Sequence, residues 1–266
     1  MTADIVGTRP KQWRLPLELE YEIISNIHDT ETLRSCSLTR RSWYHITKPR
    51  LHYSLTVRGR SAKREKEWPK PLQKKYELKL LGFVKCLKIT DMRGFTFKHL
   101  RGGNFQYFEA LKNLQALRID GIELSGFIHH IPWCLGHFKQ VNTLFLHVPS
   151  GSCRQLLYFM GCFPALRDFM LTRFSSNEKD ESEDSLKLVP QCTPPIERLT
   201  LEGCRADTLV NAIISVYRPL RVRSMHLSCV SRAQPLLEAY AKTLETLELS
   251  PPRLYGENFL GKKGKG

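Results

Sequence analysis

A mixed α/β fold, with a short helical module ahead of a stack of strand–helix units, is what this 266-residue sequence predicts. Three observations carry the prediction. One apolar phrase recurs seven times, its last residue advancing by 22 to 30 positions from copy to copy. Between copies, apolar residues follow the three–four spacing of helices. Ahead of the first copy, Trp13 to Tyr53 differs from the repeat and carries three short amphipathic stretches.

Residues 1–12 read as a flexible start without the apolar run of a secretory signal. Residues 13–50 form the helical module. Its first helix opens at Leu15-Pro16-Leu17-Glu18-Leu19, where Pro16 suits a first turn whose N–H has no helical partner. Glu18, Glu20 and Glu22 complement the helix dipole, and Leu19, Ile23, Ile24 and Ile27 make an apolar stripe. Asp29-Thr30-Glu31 breaks the chain before Leu33, Cys36 and Leu38, and Trp43 and Ile46 follow on a third helix. About 40 residues hold too little core to stand alone, so an exposed stripe here implies a partner.

Residues 51–79 read as a first strand through Leu55 and Val57 followed by a basic linker: Arg58, Arg60, Lys63, Arg64, Lys66, Lys70, Lys74 and Lys75, interrupted by Trp68, Pro69 and Pro71. A solvated linker and a nuclear-import or nucleic-acid patch both fit that run.

The repeats occupy residues 80–252. The phrase is apolar, two residues, apolar, one residue, apolar: Val84-Leu87-Ile89, Leu114-Leu117-Ile119, Val141-Leu144-Leu146, Leu166-Phe169-Leu171, Ile196-Leu199-Leu201, Val222-Met225-Leu227 and Leu244-Leu247-Leu249. The last two apolar positions alternate with exposed ones, the period of a strand with one buried face. Helical spacing follows in Leu156-Leu157-Phe159-Met160, Leu209-Ala212-Ile213-Val216 and Leu236-Leu237-Tyr240. A unit of about 27 residues cannot bury its apolar face alone, and stacked neighbours make a continuous core. Ser175 to Ser185, with Glu178, Asp180, Glu181, Glu183 and Asp184, reads as a solvated insertion, with phosphorylation or a basic partner as its functional alternative. Residues 253–266 form a basic tail.

The copy Ile196-Glu-Arg-Leu199-Thr-Leu201-Glu-Gly-Cys204 resembles a leucine-rich repeat, in which Asn or Cys closes the turn after the strand; Asp120, Pro149 and Phe174 fall near that turn elsewhere. Leu-Pro-x-Glu from Leu15, then Ile23-Ile24, Leu33-x-x-Cys-Ser-Leu38 and Arg41-Ser42-Trp43 resemble an F-box, most like that of the expanded F-box families of mushroom-type fungi. Family members usually carry Val-Cys where this chain has Thr39-Arg40. The resemblance implies an α/β architecture in which a three-helix F-box precedes a leucine-rich-repeat solenoid. It implies a substrate receptor of a Skp–cullin–F-box ubiquitin ligase. The Skp-type adaptor, and through it the cullin, would meet Leu15, Pro16, Ile23, Ile24, Leu33, Leu38 and Trp43. Ile27 and Trp43 fit the interior of the three helices equally well.

In a stacked array, residues between the two buried strand positions line one face: Lys88, Arg118, Phe145, Met170, Thr200, His226 and Glu248. Apolar anchors with a charged rim suit a specific protein site. Phe145 and Met170 are expected to anchor a target protein, with Lys88, Arg118 and Arg198 favouring an acidic or phosphorylated segment and His226 as a further target contact.

Composition narrows the alternatives. No apolar run approaches the roughly 20 residues needed to span a bilayer, so no membrane partner is expected and the cytoplasm or nucleus is the expected location. The eight cysteines include no CxxC pair, which suits free thiols in a reducing compartment. His129, His130, Cys134 and His137 are zinc-ligand types, but Pro132 interrupts them and neither CxxC nor HExxH frames them, so no metal is expected. No GxSxG and no phosphate-binding glycine loop occurs, with Gly102-Gly103 reading as a turn, so no catalysis and no cofactor are expected. A net charge of +15 keeps one alternative open, a ligase-independent binding module contacting nucleic acid through the basic linker.

Overall fold

The computed structural model describes residues 15–58, 70–90, 106–126, 138–176, 192–204, 206–216, 221–228 and 233–250, in two units, Met1–His52 and Tyr53–Gly266. The candidate zinc cluster, Gly102-Gly103, Arg60 to Lys66, Glu178 to Asp184 and the basic tail lie outside the described residues.

In the first unit α1 (Leu17–Ser25), α2 (Thr30–Thr39) and α3 (Arg41–Leu51) follow the expected order. Pro16 stands immediately before α1. Asp29 caps α2: its Oδ2 accepts from the Thr32 backbone N–H and hydroxyl, both at 2.7 Å, satisfying a donor with no helical partner. The Thr32 hydroxyl is the chief reason the Asp29 carboxyl sits below its ordinary value. Inside, Ile24 and Leu33 are buried, the Thr47 hydroxyl donates to the Trp43 carbonyl at 2.8 Å, and the Arg50 guanidinium donates to the Ile24 carbonyl.

The second unit is a mixed α/β structure built on a parallel eight-stranded sheet. Its strands are β1 (Ser54–Arg58), β2 (Cys86–Thr90), β3 (Ala116–Asp120), β4 (Thr143–His147), β6 (Asp168–Thr172), β8 (Arg198–Glu202), β9 (Ser224–Ser228) and β10 (Thr246–Ser250), in that order across the sheet. Two short strands, β5 (Ser150–Gly151) and β7 (Ser175–Ser176), pair separately. Register holds without a slip, so the phrase positions become columns. Leu55, Leu87, Leu117, Leu144, Phe169, Leu199, Met225 and Leu247 form one, and Val57, Ile89, Ile119, Leu146, Leu171, Leu201, Leu227 and Leu249 the next. A slip by one residue would turn a whole strand's apolar set to solvent, and that penalty specifies the register. The residue before each strand adds a second ladder. Its carbonyl accepts two backbone N–H groups from the next unit, as Gln115 does from Asn142 and Thr143 at 2.9 and 3.1 Å, and Asn142 does from Arg167 and Asp168 at 2.8 and 2.9 Å.

After the strand the chain turns through positive φ in four successive units, at Gly121 (73°), Val148 (51°), Arg173 (56°) and Gly203 (61°). Each of these N–H groups donates to the last carbonyl of the neighbouring strand, at 2.7 to 2.9 Å. Side chains disfavour this region, most of all β-branched ones, so the hydrogen bond and the packing that follows hold Val148 there. The turn closes on Ile122, Pro149, Phe174 and Cys204, all buried. In three of these units an apolar side chain therefore fills the place that Asn or Cys holds in the resembled repeat. Asp120 is the last residue of β3 itself.

The connectors bury the other side of the columns. α4 (Lys70–Glu77) precedes β2, α5 (Gln106–Glu109) precedes β3, α6 (Cys153–Met160) precedes β6, α7 (Ala206–Val216) precedes β9 and α8 (Gln234–Tyr240) precedes β10. The last three are the stretches whose spacing predicts helices. α4 departs from the expected linker. Leu72 is buried, and Tyr76 packs edge-to-face on Tyr107 at 4.9 Å, so this basic stretch covers the core beside β1. α6 is closed by a capping box: Gln155 N–H donates to Ser152 Oγ at 3.2 Å, and Ser152 N–H donates to Gln155 Oε1 at 2.9 Å. Among the described residues no helix is long and apolar enough to cross a membrane.

Candidate protein-binding surfaces

Between the two columns, which are buried from β1 to β9, runs a more accessible one: Thr56, Lys88, Arg118, Phe145, Met170, Thr200, His226 and Glu248 are aligned strand by strand. The expected target-binding side chains therefore share one face, with Arg198 in the flanking column beside Asp168. Met170 is 40% exposed in the middle of it.

Residues two positions along the same strands belong to this face too, and they change its electrostatics. Asp120 Oδ1 accepts from Arg118 Nε at 3.0 Å, while its Oδ2 lies 3.8 Å from Lys88 Nζ. The Arg118 guanidinium lies over Phe145, 4.1 Å from the ring centroid. Phe145 stacks on His147 with centroids 6.3 Å apart and planes 19° from parallel, and His147 Nδ1 is 2.6 Å from the Thr172 hydroxyl. A cation over a ring contributes about 0.5–1 kcal/mol at an exposed site, enough to bias the arginine rotamer. Arg198 is paired with Asp168, which holds its guanidinium pKa above the ordinary value, and the Thr143 hydroxyl donates to the same carboxylate at 3.2 Å. At the far end His226 lies between two acids, with Nδ1 3.0 Å from Glu248 Oε2 and Nε2 3.8 Å from Glu202 Oε1. One residue per strand was legible as a target contact in the sequence. Asp120, His147, Asp168 and Glu202 were missed, although strand alternation places them on the same side.

The helical module presents a different surface. Leu17 is 62% and Leu38 87% exposed, and Leu15, Pro16, Leu19, Tyr21 and Ile23 are exposed as well. Of the residues expected at an adaptor, Leu15, Pro16, Ile23 and Leu38 thus face outward. Ile24 (0% exposed) and Leu33 (5%) lie instead in the interior, where they hold the three helices together. Trp43 is half-buried, and its indole N–H is out of solvent without a hydrogen-bond partner among the described residues. Arg40 has a local use: its guanidinium lies 3.2 Å from Glu20 Oε1, a buried carboxylate on α1. Glu20 reads in the sequence only as a dipole partner, and the pairing comes from the α2–α3 turn.

The described cysteines are free thiols. Burial pushes the Cys162 thiol up to about 12 and the Cys204 thiol to about 11, so neither is a nucleophile near neutrality. The Cys204 thiol donates to the Leu171 carbonyl at 3.6 Å, tying one turn to the preceding strand.

No family model matches this chain, and no curated protein is significantly similar to it.

Proposed function

We propose that the chain is a non-catalytic substrate receptor of a Skp–cullin–F-box ubiquitin ligase, with the N-terminal helices as the F-box and the second unit as a leucine-rich-repeat solenoid. The observation that carries the reading is the outward apolar surface of α1 and α2. Leu15, Pro16, Leu17, Ile23 and Leu38 stay in water while Ile24 and Leu33 fill the interior. Full burial of each large side chain against a partner is worth about 1.5–3 kcal/mol, so the surface fits an apolar adaptor groove. The unslipped parallel register and the strand–turn–helix units support the solenoid reading. The sheet face, with Phe145 and Met170 at its centre, would hold the target. A receptor of this kind contributes proximity and orientation while the transfer chemistry takes place elsewhere in the complex.

Co-expression with a Skp-type adaptor followed by affinity capture tests the assignment. Stable capture is expected, lost on Leu15→Ala/Pro16→Ala or Leu38→Asp with the fold retained. A folded chain that is not captured would sink the ligase reading. Steeply salt-dependent nucleic-acid binding in its place would point to the basic-linker alternative.

A further inference from the structure

The ion pairs on the sheet face do not balance along its length. At one end Lys88 and Arg118 share the single carboxylate of Asp120. At the other end Glu202 and Glu248 flank the single imidazole of His226. Arg198 and Asp168 cancel between them. The face is thus a positive end, an apolar centre of Phe145 and Met170, and a negative end, in strand order.

We propose that this face takes an extended peptide segment with charges in the complementary order: an acidic side chain over Lys88 and Arg118, a large apolar one on Phe145 and Met170, and a lysine or arginine between Glu202 and Glu248. The proposal rests on reading the sheet face as the target site and deepens it. A uniformly acidic or phosphorylated segment would satisfy Lys88 and Arg118 but would set like charge against Glu202 and Glu248, and such a juxtaposition is what rejects wrong partners. Arg118 is pre-positioned for an incoming carboxylate, because Asp120 and the Phe145 ring fix its plane and a guanidinium already held loses less freedom on binding.

The spacing follows from the geometry. Neighbouring strands lie about 4.8 Å apart and an extended chain advances about 3.3 Å per residue. Two strand steps separate the Lys88–Arg118 pair from the Phe145–Met170 pair, which corresponds to about three residues of ligand. Two to three further steps to His226 correspond to about four.

The test uses the full chain and fluorescein-labelled peptides of about twelve residues in a Ser/Gly/Thr background, read by fluorescence anisotropy at low ionic strength. One carries Asp, then Phe three residues on, then Lys four further on. Its counterparts carry Asp–Phe–Asp and Lys–Phe–Lys. The mixed-charge peptide is expected to bind about tenfold more tightly than either. Glu202→Lys/Glu248→Lys, at two solvent-accessible carboxylates, is expected to transfer the preference to Asp–Phe–Asp. Equal binding of the three peptides, no binding by any of them, or an unchanged preference in the charge-swapped variant would overturn the charge order. If the mixed-charge peptide binds but Phe145→Ala/Met170→Ala leaves its affinity unchanged, the sheet face is not the site at all, and the target-site reading fails with it. Adaptor capture reports on the ligase assignment separately.

Discussion

Arg40, at the junction of α2 and α3, reaches back to Glu20 in the middle of α1, 3.2 Å from its buried carboxylate. The pair joins the α2–α3 turn to α1 across 20 positions of the chain. Its value lies in preventing an unpaired charge inside, since removing one partner of a buried pair costs more than the pair itself contributes. Arg40 is half in solvent, so the effect is smaller than for a fully buried pair. Arg40→Ala is expected to destabilise the helical unit by about 1–2 kcal/mol, read as a lower urea midpoint of the far-ultraviolet helix signal. Glu20→Leu/Arg40→Leu should recover most of the loss. Equal destabilisation by the single and double variants would deny the coupling.

Two glycines separate conformational strain from crowding. Among the described residues, only the Arg173 side chain lies near Gly203 (φ 61°), 3.6 Å from where a Cβ would stand. Gly203→Ala is expected to cost about 1 kcal/mol, the price of a left-handed backbone alone. Gly151 (φ 143°) would set a Cβ 2.7 Å from Gln155 Oε1 and 2.9 Å from Leu124 Cβ, disrupting the capping box. Gly151→Ala is expected to cost roughly 2–4 kcal/mol. Denaturant midpoints of the two variants check the ordering. In the reverse sense, Val148→Gly should stabilise by about 0.5 kcal/mol, the relief of β-branched strain partly offset by glycine's larger unfolded-state entropy.

Equivalent columns do not make equivalent residues. Leu146 and Leu249 occupy the same position in the repeat, yet Leu146 is fully buried and Leu249 is 64% exposed on β10, whose one neighbour among the described strands is β9. Leu146→Ala is expected to cost about 2–5 kcal/mol and Leu249→Ala under about 1 kcal/mol. Thermal denaturation of the two variants distinguishes them. Equal losses would mean that β10 is covered in solution.

The buried thiols set an alkaline limit. Cys162 and Cys204 keep their protons in the fold up to about 12 and 11, against an ordinary value of 9. Between 9 and those values the unfolded chain releases protons that the folded one retains. Stability contributed by these thiols is therefore complete below about pH 9 and declines as pH rises towards 11–12. Iodoacetamide at pH 8.5 should modify them only after unfolding. Cys162→Ala/Cys204→Ala, measured against pH, should flatten the alkaline decline. An unchanged slope would assign it to other groups.

Much of the sheet was legible in the sequence. Leu117-Arg118-Ile119 and Leu144-Phe145-Leu146 alternate with a period that belongs to strands alone, and recurrence of the phrase orders the strands one after another. Phase and order together specify the register, which places Arg118 beside Phe145 before any coordinate is known. Tertiary structure decided which apolar residues face inward in the helical module, and which charges pair. Ile23 and Ile24 are adjacent and chemically identical, and their burial depends on where α3 packs, a contact made across some 20 residues of chain. Lys88, Arg118 and Arg198 read as free cations in one dimension. Parallel strands bring Lys88 to Asp120 and Arg198 to Asp168 from about 30 positions away, a separation that no local periodicity encodes, so that Arg198 is paired and Lys88 shares one carboxylate with Arg118.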